Sequence, residues 1–190
     1  MTELRLRLAW LIVGALALQV ATVYLVPPDP ATTAWDLRGS LFILGAGLAL
    51  VGIAVNRHYW PVWLIGFGFA LNLVAIVPHG GYMPITAEAY RAAGQARPGD
   101  DLSDGARLAR AKDIFLPRDQ TTFWFLTDIF PIAEPRIVRG VYSPGDVAIA
   151  LGAFLLAAGF GWLRREQRVP EAEVRRLTTG WSGWLGRGSG

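Results

Sequence analysis

WPVWLIGFGFALNLVAIV, Trp60 to Val77, carries no charged side chain over eighteen residues. A helix of that length rises about 27 Å, close to the roughly 30 Å hydrocarbon core of a bilayer. Its apolar residues fall on every face rather than along one stripe, which marks a membrane span and not a surface helix. Pro61 stands in the first turn, where its missing N–H costs little. Three further runs read the same way: LAWLIVGALALQVATVYLV from Leu8 to Val26, SLFILGAGLALVGIAV from Ser40 to Val55, and DVAIALGAFLLAAGFGWL from Asp146 to Leu163. The expected fold is therefore an all-α membrane protein. Its four transmembrane helices cover about 8–26, 40–55, 60–77 and 146–163, with an extracytoplasmic segment, 82–142, between the third and fourth. The first run begins after Arg5 and Arg7 as a signal peptide would, but it is long for one and lacks a small-x-small site before Pro27, so an uncleaved span is expected.

Composition agrees. Of 190 residues 53% are apolar and only 17% charged, and the mean hydropathy is +0.35, whereas soluble domains carry roughly 25% charge. With no cysteine there is no disulfide, thiolate metal site or cysteine nucleophile. The net charge of +3 is a topology signal once it is placed along the chain. Nine arginines against four glutamates flank the spans on the side holding both termini, net +5. The opposite side has nine basic against eleven acidic residues, net −2. By the positive-inside rule both termini are cytoplasmic, in a bacterial inner membrane, and no nucleic acid is expected as a partner.

The 82–142 segment is far longer than an ordinary connection. ITAEAYRAAGQA reads as a short helix with Thr86 as N-cap, and Ser103 or Asp104 is placed to cap a second helix running to Lys112. DQTTFWFLTDIFPI, around residues 120–132, is apolar but too short to span, and is expected at the outer interface or as a re-entrant segment. After Arg165 the tail turns amphipathic: Val174, Leu177, Trp181 and Trp184 share one side, suited to an anionic leaflet. Small residues recur within the spans, among them Gly45, Gly47, Ala49 and Gly52, then Gly66, Gly68 and Ala70, then Gly152 and Gly161. Such faces let helices approach closely, first within the bundle and second against other membrane proteins.

Few side chains are left to carry chemistry. Asn72 is polar within a span, His79 follows the third span, Asp128 lies inside the aromatic segment, and Asp146 opens the fourth span. These four are the candidate outer pocket. Asp146 reads chiefly as a helix-start residue, so that Asp146→Asn is expected to be nearly neutral, while a structural Asp128 predicts an amide variant of lower thermal stability. No catalytic set, metal site or cofactor is expected: HExxH, P-loop, GxGxxG and GxSxG patterns are all missing, and His58 and His79 fall on opposite sides of the membrane.

NLVAIVPHGGYMP at 72–84, FLTDIFP at 125–131 and SPGDVAIALGAF at 143–154 resemble an uncharacterised bacterial four-span integral-membrane family, a domain of unknown function. In that family a third span ends in an Asn-Gly-Gly-like turn leading to Met-Pro, and a Ser-x-Gly-Asp motif opens the last span. Gly80, Gly81, Met83 and Pro84 match the first motif, with His79 in place of the Asn, and Ser143, Gly145 and Asp146 match the second. The resemblance implies four spans and no particular activity. Two functions are compatible with these residues. The preferred one is a non-catalytic accessory or scaffold subunit; the other is a small membrane enzyme or transporter that handles a lipid or lipophilic molecule at the outer pocket.

Overall fold

A computed structural model describes residues 9–29, 35–56 and 60–166. The basic N-terminal start, the connection holding His58, and the amphipathic tail lie outside these residues. The chain divides into two compact units, Met1–Ala153 and Phe154–Gly190, and the packing described below belongs to the first.

Four long helices follow the four apolar runs: α1 (Ala9–Leu25), α2 (Leu37–Val55), α3 (Trp60–Ile76) and, after a short α4 (Ala87–Ala92), α5 (Pro144–Glu166). By length and apolarity two segments suffice to cross a membrane, Leu37–Val55 and Trp60–His79; the apolar stretches Trp10–Leu25 and Pro144–Gly159 are shorter. Large apolar side chains such as Val20, Leu44, Trp63, Phe67 and Leu151 point outward from these helices. Small residues face inward. A Cβ on Gly45 would come within 2.8 Å of the Gln19 Cγ, one on Gly52 within 2.6 Å of Ile12, and one on Gly66 within 2.8 Å of Ile53. One on Gly68 would come within 2.4 Å of the Gly145 carbonyl oxygen. The small-residue faces thus serve packing within the chain, while Gly47 has open space beside it.

The second helix starts three residues earlier than its apolar run. Asp36 caps it, the carboxylate accepting from the Gly39 amide at 2.7 Å, and so Arg38 lies within the helix rather than ahead of it. Helix α3 ends through a 3-10 turn (Val77–His79) into Gly80 and Gly81, which take φ of 66° and 91°. Both the left-handed backbone and the space demand glycine here: a Cβ on Gly81 would lie 2.4 Å from Gly39.

The segment after this turn is not helical throughout, which corrects the all-α expectation. It carries β1 (Met83–Ile85) paired in parallel with β2 (Asp113–Phe115), and β3 (Phe130–Ile132) paired antiparallel with β4 (Gly140–Tyr142). Thr86 does cap α4, accepting from the Ala89 amide. The expected helix from Ser103 to Lys112 is not formed. Ser103 spends its hydroxyl on Asp101, Gly105 takes φ of 86°, and the amides of Gly105 and Leu108 bond across to Phe115 and Asp113. A tight hairpin thereby uses the backbone groups that a helix would need. The aromatic stretch is a 3-10 turn (Trp124–Leu126) and β3, with Phe123, Trp124, Phe125 and Phe130 all exposed.

Candidate functional site

Two of the four sequence candidates meet at the head of the helices. Ser143 is the N-cap of α5 in a reciprocal arrangement: its Oγ accepts from the Asp146 amide at 3.0 Å, and the Asp146 carboxylate accepts from the Ser143 amide at 3.1 Å. Asn72 on α3 closes the loop. Its amide donates to Asp146 Oδ1 at 2.8 Å and its oxygen accepts from the Ser143 hydroxyl at 2.8 Å. Gly145 leaves room for this, since a Cβ there would sit 2.1 Å from Asn72 Oδ1. Both oxygens of Asp146 are therefore engaged by different donors. An amide has only one acceptor oxygen, so the near-neutrality expected for Asp146→Asn does not follow from this geometry.

Asp128 joins them through a residue the sequence reading passed over. Lys112 Nζ stands 3.4 Å from Asp128 Oδ2 and 3.8 Å from Asp146 Oδ2, with 28% of its side chain exposed. Asp128 itself is buried, held in place by its amide bonding to the Pro84 carbonyl beside β1. Asp113 stands next to Lys112 in the chain, and one oxygen each of Asp113 and Asp128 is buried without a partner among the described residues. Three carboxyls around one ammonium cannot all ionise cheaply in such a place. Burial, then Asp113 and Asp146, push Asp128 up to about 8 against the pull of Lys112. Burial likewise raises Asp113. Burial works against the Lys112 charge, but Asp128, Asp146 and Asp113 outweigh it and lift its pKa above the ordinary lysine value. The pair Asp113–Asp128 thus retains a proton beside a charged lysine.

His79 stands apart from this cluster. Its Nδ1 is 2.8 Å from the Ala75 carbonyl and its Nε2 accepts from the Thr122 amide at 3.2 Å. Those partners assign the proton to Nδ1. The imidazole ties the end of α3 to the aromatic stretch and has no nitrogen left for chemistry.

A second polar group, also unread in the sequence, fastens the 82–142 segment to α2. Asp36 accepts from the Tyr82 hydroxyl at 2.6 Å, from Arg107 at 3.0 Å and from the Asp29 amide at 3.1 Å. Burial opposes its charge, yet the bonds from Tyr82, Gly39 and Asp29 and the charge of Arg107 hold its pKa below the usual carboxylate range. Arg107 lies 4.4 Å over the Tyr82 ring. Arg38, only 2% exposed, donates to the carbonyls of Leu108, Ala109 and Ala111. One signal for Lys112 was available in the sequence: it is the single lysine among eighteen basic residues. No cluster of metal-ligating side chains occurs among the described residues.

A family model described as a family of unknown function, DUF5317, matches residues 3–158. The chain belongs to DUF5317. The match takes in α1, α2, α3 and every residue of both polar groups, and it stops short of the tail. Neither the curated proteins nor the solved structures hold a match to the chain. The chemistry of this DUF5317 member is therefore argued from its own residues.

Proposed function

We propose that the protein crosses a bacterial inner membrane four times, with both termini in the cytoplasm and residues 82–142 outside, and serves as a non-catalytic accessory or scaffold subunit. One observation carries the role. Polar side chains placed for chemistry are engaged in holding the fold: Asn72 with Ser143 and Asp146 joins α3 to the start of α5, and Asp36 and Arg38 with Tyr82, Arg107 and the 108–111 backbone join α2 to the outer segment. Outward apolar side chains on the long helices support immersion in lipid, and the exposed Phe123, Trp124 and Phe125 suit a headgroup interface. With Gly45, Gly52 and Gly66 filled from within, Gly47 and the exposed Ala70 remain for another membrane protein.

A cysteine at Ser103, an exposed position in a chain with no native cysteine, tests the topology. It should react with a membrane-impermeant maleimide in intact cells, and labelling only after permeabilisation refutes the orientation. For the role, a membrane protein that co-purifies stoichiometrically with wild type and is lost from a well-folded Gly47→Leu variant is the expected result. The enzyme or transporter reading has one observation in its favour, the unpartnered oxygens of Asp113 and Asp128. A bound small molecule in place of a protein partner would bring that reading forward.

A further inference from the structure

A cavity of about 190 Å³ lies among α1, α2, α3 and the start of α5. Phe42, Leu73 and Ile149 stand for its mostly apolar wall, and Gln19, Lys112 and Asp146 also line it. The space equals about six water volumes of ~30 Å³, yet an ordered water needs two to four polar partners, which the apolar part of the wall does not offer. Polar capacity is concentrated where Lys112 meets Asp146. The ammonium lies 3.4 Å from Asp128 and 3.8 Å from Asp146, longer than the roughly 2.7–2.9 Å of a full charge-assisted hydrogen bond, and it has donors to spare. Each Asp146 oxygen receives one described donor, from Asn72 or Ser143, and retains a second lone pair. Gln19 brings a side-chain amide to this wall from mid-way along an apolar helix.

We propose that this cavity binds a small uncharged amphiphile bearing a hydroxyl group, the hydroxyl accepting from Lys112 and donating to Asp146 while the apolar body lies against Phe42, Leu73 and Ile149. The charge arrangement selects the class. An anion meets the Asp146 carboxylate, and a cation meets the Lys112 ammonium. A neutral group that both accepts and donates satisfies the two together. The inference needs only the helix packing described above, and it holds whether or not the chain assembles with another membrane protein.

The single lysine supplies the probe. Full-length protein grown on ¹³C,¹⁵N-lysine and reconstituted in phosphatidylcholine nanodiscs gives one lysine ε-methylene signal. It is titrated with 1-hexanol, hexanoate and hexylamine. Hexanol should displace that signal saturably, while hexanoate and hexylammonium give no saturable shift. In Ala46→Phe, which fills the cavity from a buried lining position, the hexanol affinity should fall at least about tenfold, as expected where a pocket loses its volume. A hexanol response that never saturates in wild type reports bilayer partitioning alone and overturns the proposal. So does saturable binding of hexanoate or hexylamine as tight as that of hexanol, or undiminished hexanol binding by folded Ala46→Phe. The ligand series on the wild-type chain decides the matter even if that variant does not fold.

Discussion

Between about pH 5 and about pH 7 the wild-type protein should lose stability that Asp128→Asn keeps, on the order of 3 kcal/mol. The sign follows from the direction of the shift. The Asp128 carboxyl titrates near 3.8 when exposed and at about 8 in the folded chain. Between those values the folded state holds a proton that the unfolded state has released, so unfolding releases protons and stability falls as pH rises. One proton over two pH units corresponds to about 1.4 kcal/mol per unit. At about 2–4 °C per kcal/mol for a chain of this size, the wild-type Tm should drop by roughly 5–11 °C across the window.

The other perturbed groups leave this interval clear or add to it. Asp36, with its pKa lowered from 3.8, contributes stability that is present above that value and lost only as pH falls below it. Lys112, raised from 10.5, and Tyr82, raised from 10.0, contribute stability fully present throughout the window. Asp113 is raised by burial, so it acts in the same direction as Asp128 and leaves the variant a residual slope. Thermal unfolding followed through the eight tryptophans in one membrane mimetic at both pH values is the assay. Wild type and Asp128→Asn should converge near the acid end and part towards neutrality, with the amide variant the more stable. This reverses the loss of stability that the sequence alone suggested for a structural Asp128. Parallel pH curves, or an amide variant that is the weaker at both pH values, would show that Asp128 is ionised against Lys112 and refute the retained proton.

Gly39→Ala should cost the upper end of the ~1–3 kcal/mol typical of overpacking, or more, because its Cβ would lie 1.8 Å from the Gly80 carbonyl oxygen; Gly47→Ala, with nothing within 4 Å, should be neutral or stabilising in the same unfolding measurement. Asp146→Asn should lower stability by about 1–3 kcal/mol, visible as a Tm decrease, since one of the Asn72 and Ser143 donors then loses its acceptor. Arg38→Lys should cost about 1.5–3 kcal/mol and speed limited proteolysis within residues 97–112, because one ammonium cannot span the carbonyls of Leu108, Ala109 and Ala111.

The helices were legible because their runs are apolar on every face, a signal that needs no partner to be read. The α2 boundary was not, for a reason visible in Arg38: in sequence a charge ends an apolar run, and only the carbonyls some seventy residues away make its burial tolerable. The missing helix at Ser103–Lys112 shows the same limit in reverse. Its cap signals are local and genuine, but Ser103 turns to Asp101 and the following amides reach β2. Of the candidate site, Asn72 was recognisable as a polar group within a span and Asp146 as a helix-start residue, and they do meet. His79 looked like their neighbour by position along the chain, yet its two nitrogens belong to Ala75 and Thr122.

Lys112 and Arg38 mark the division between holding the fold and leaving something available. Arg38 occupies three fixed carbonyls with a planar fork, a duty that suits a rigid, always-charged group and leaves nothing over. At position 112, a chain that otherwise uses only arginine for its basic residues places its single lysine. A compact ammonium on a flexible stem reaches Asp128 and Asp146 without saturating either, and it borders a cavity that a guanidinium would partly fill. Arginine there would make a stronger clamp between the 82–142 segment and α5. The looser contact gives up part of that stabilisation and keeps the Lys112 donor and the Asp146 acceptor available at the edge of the cavity.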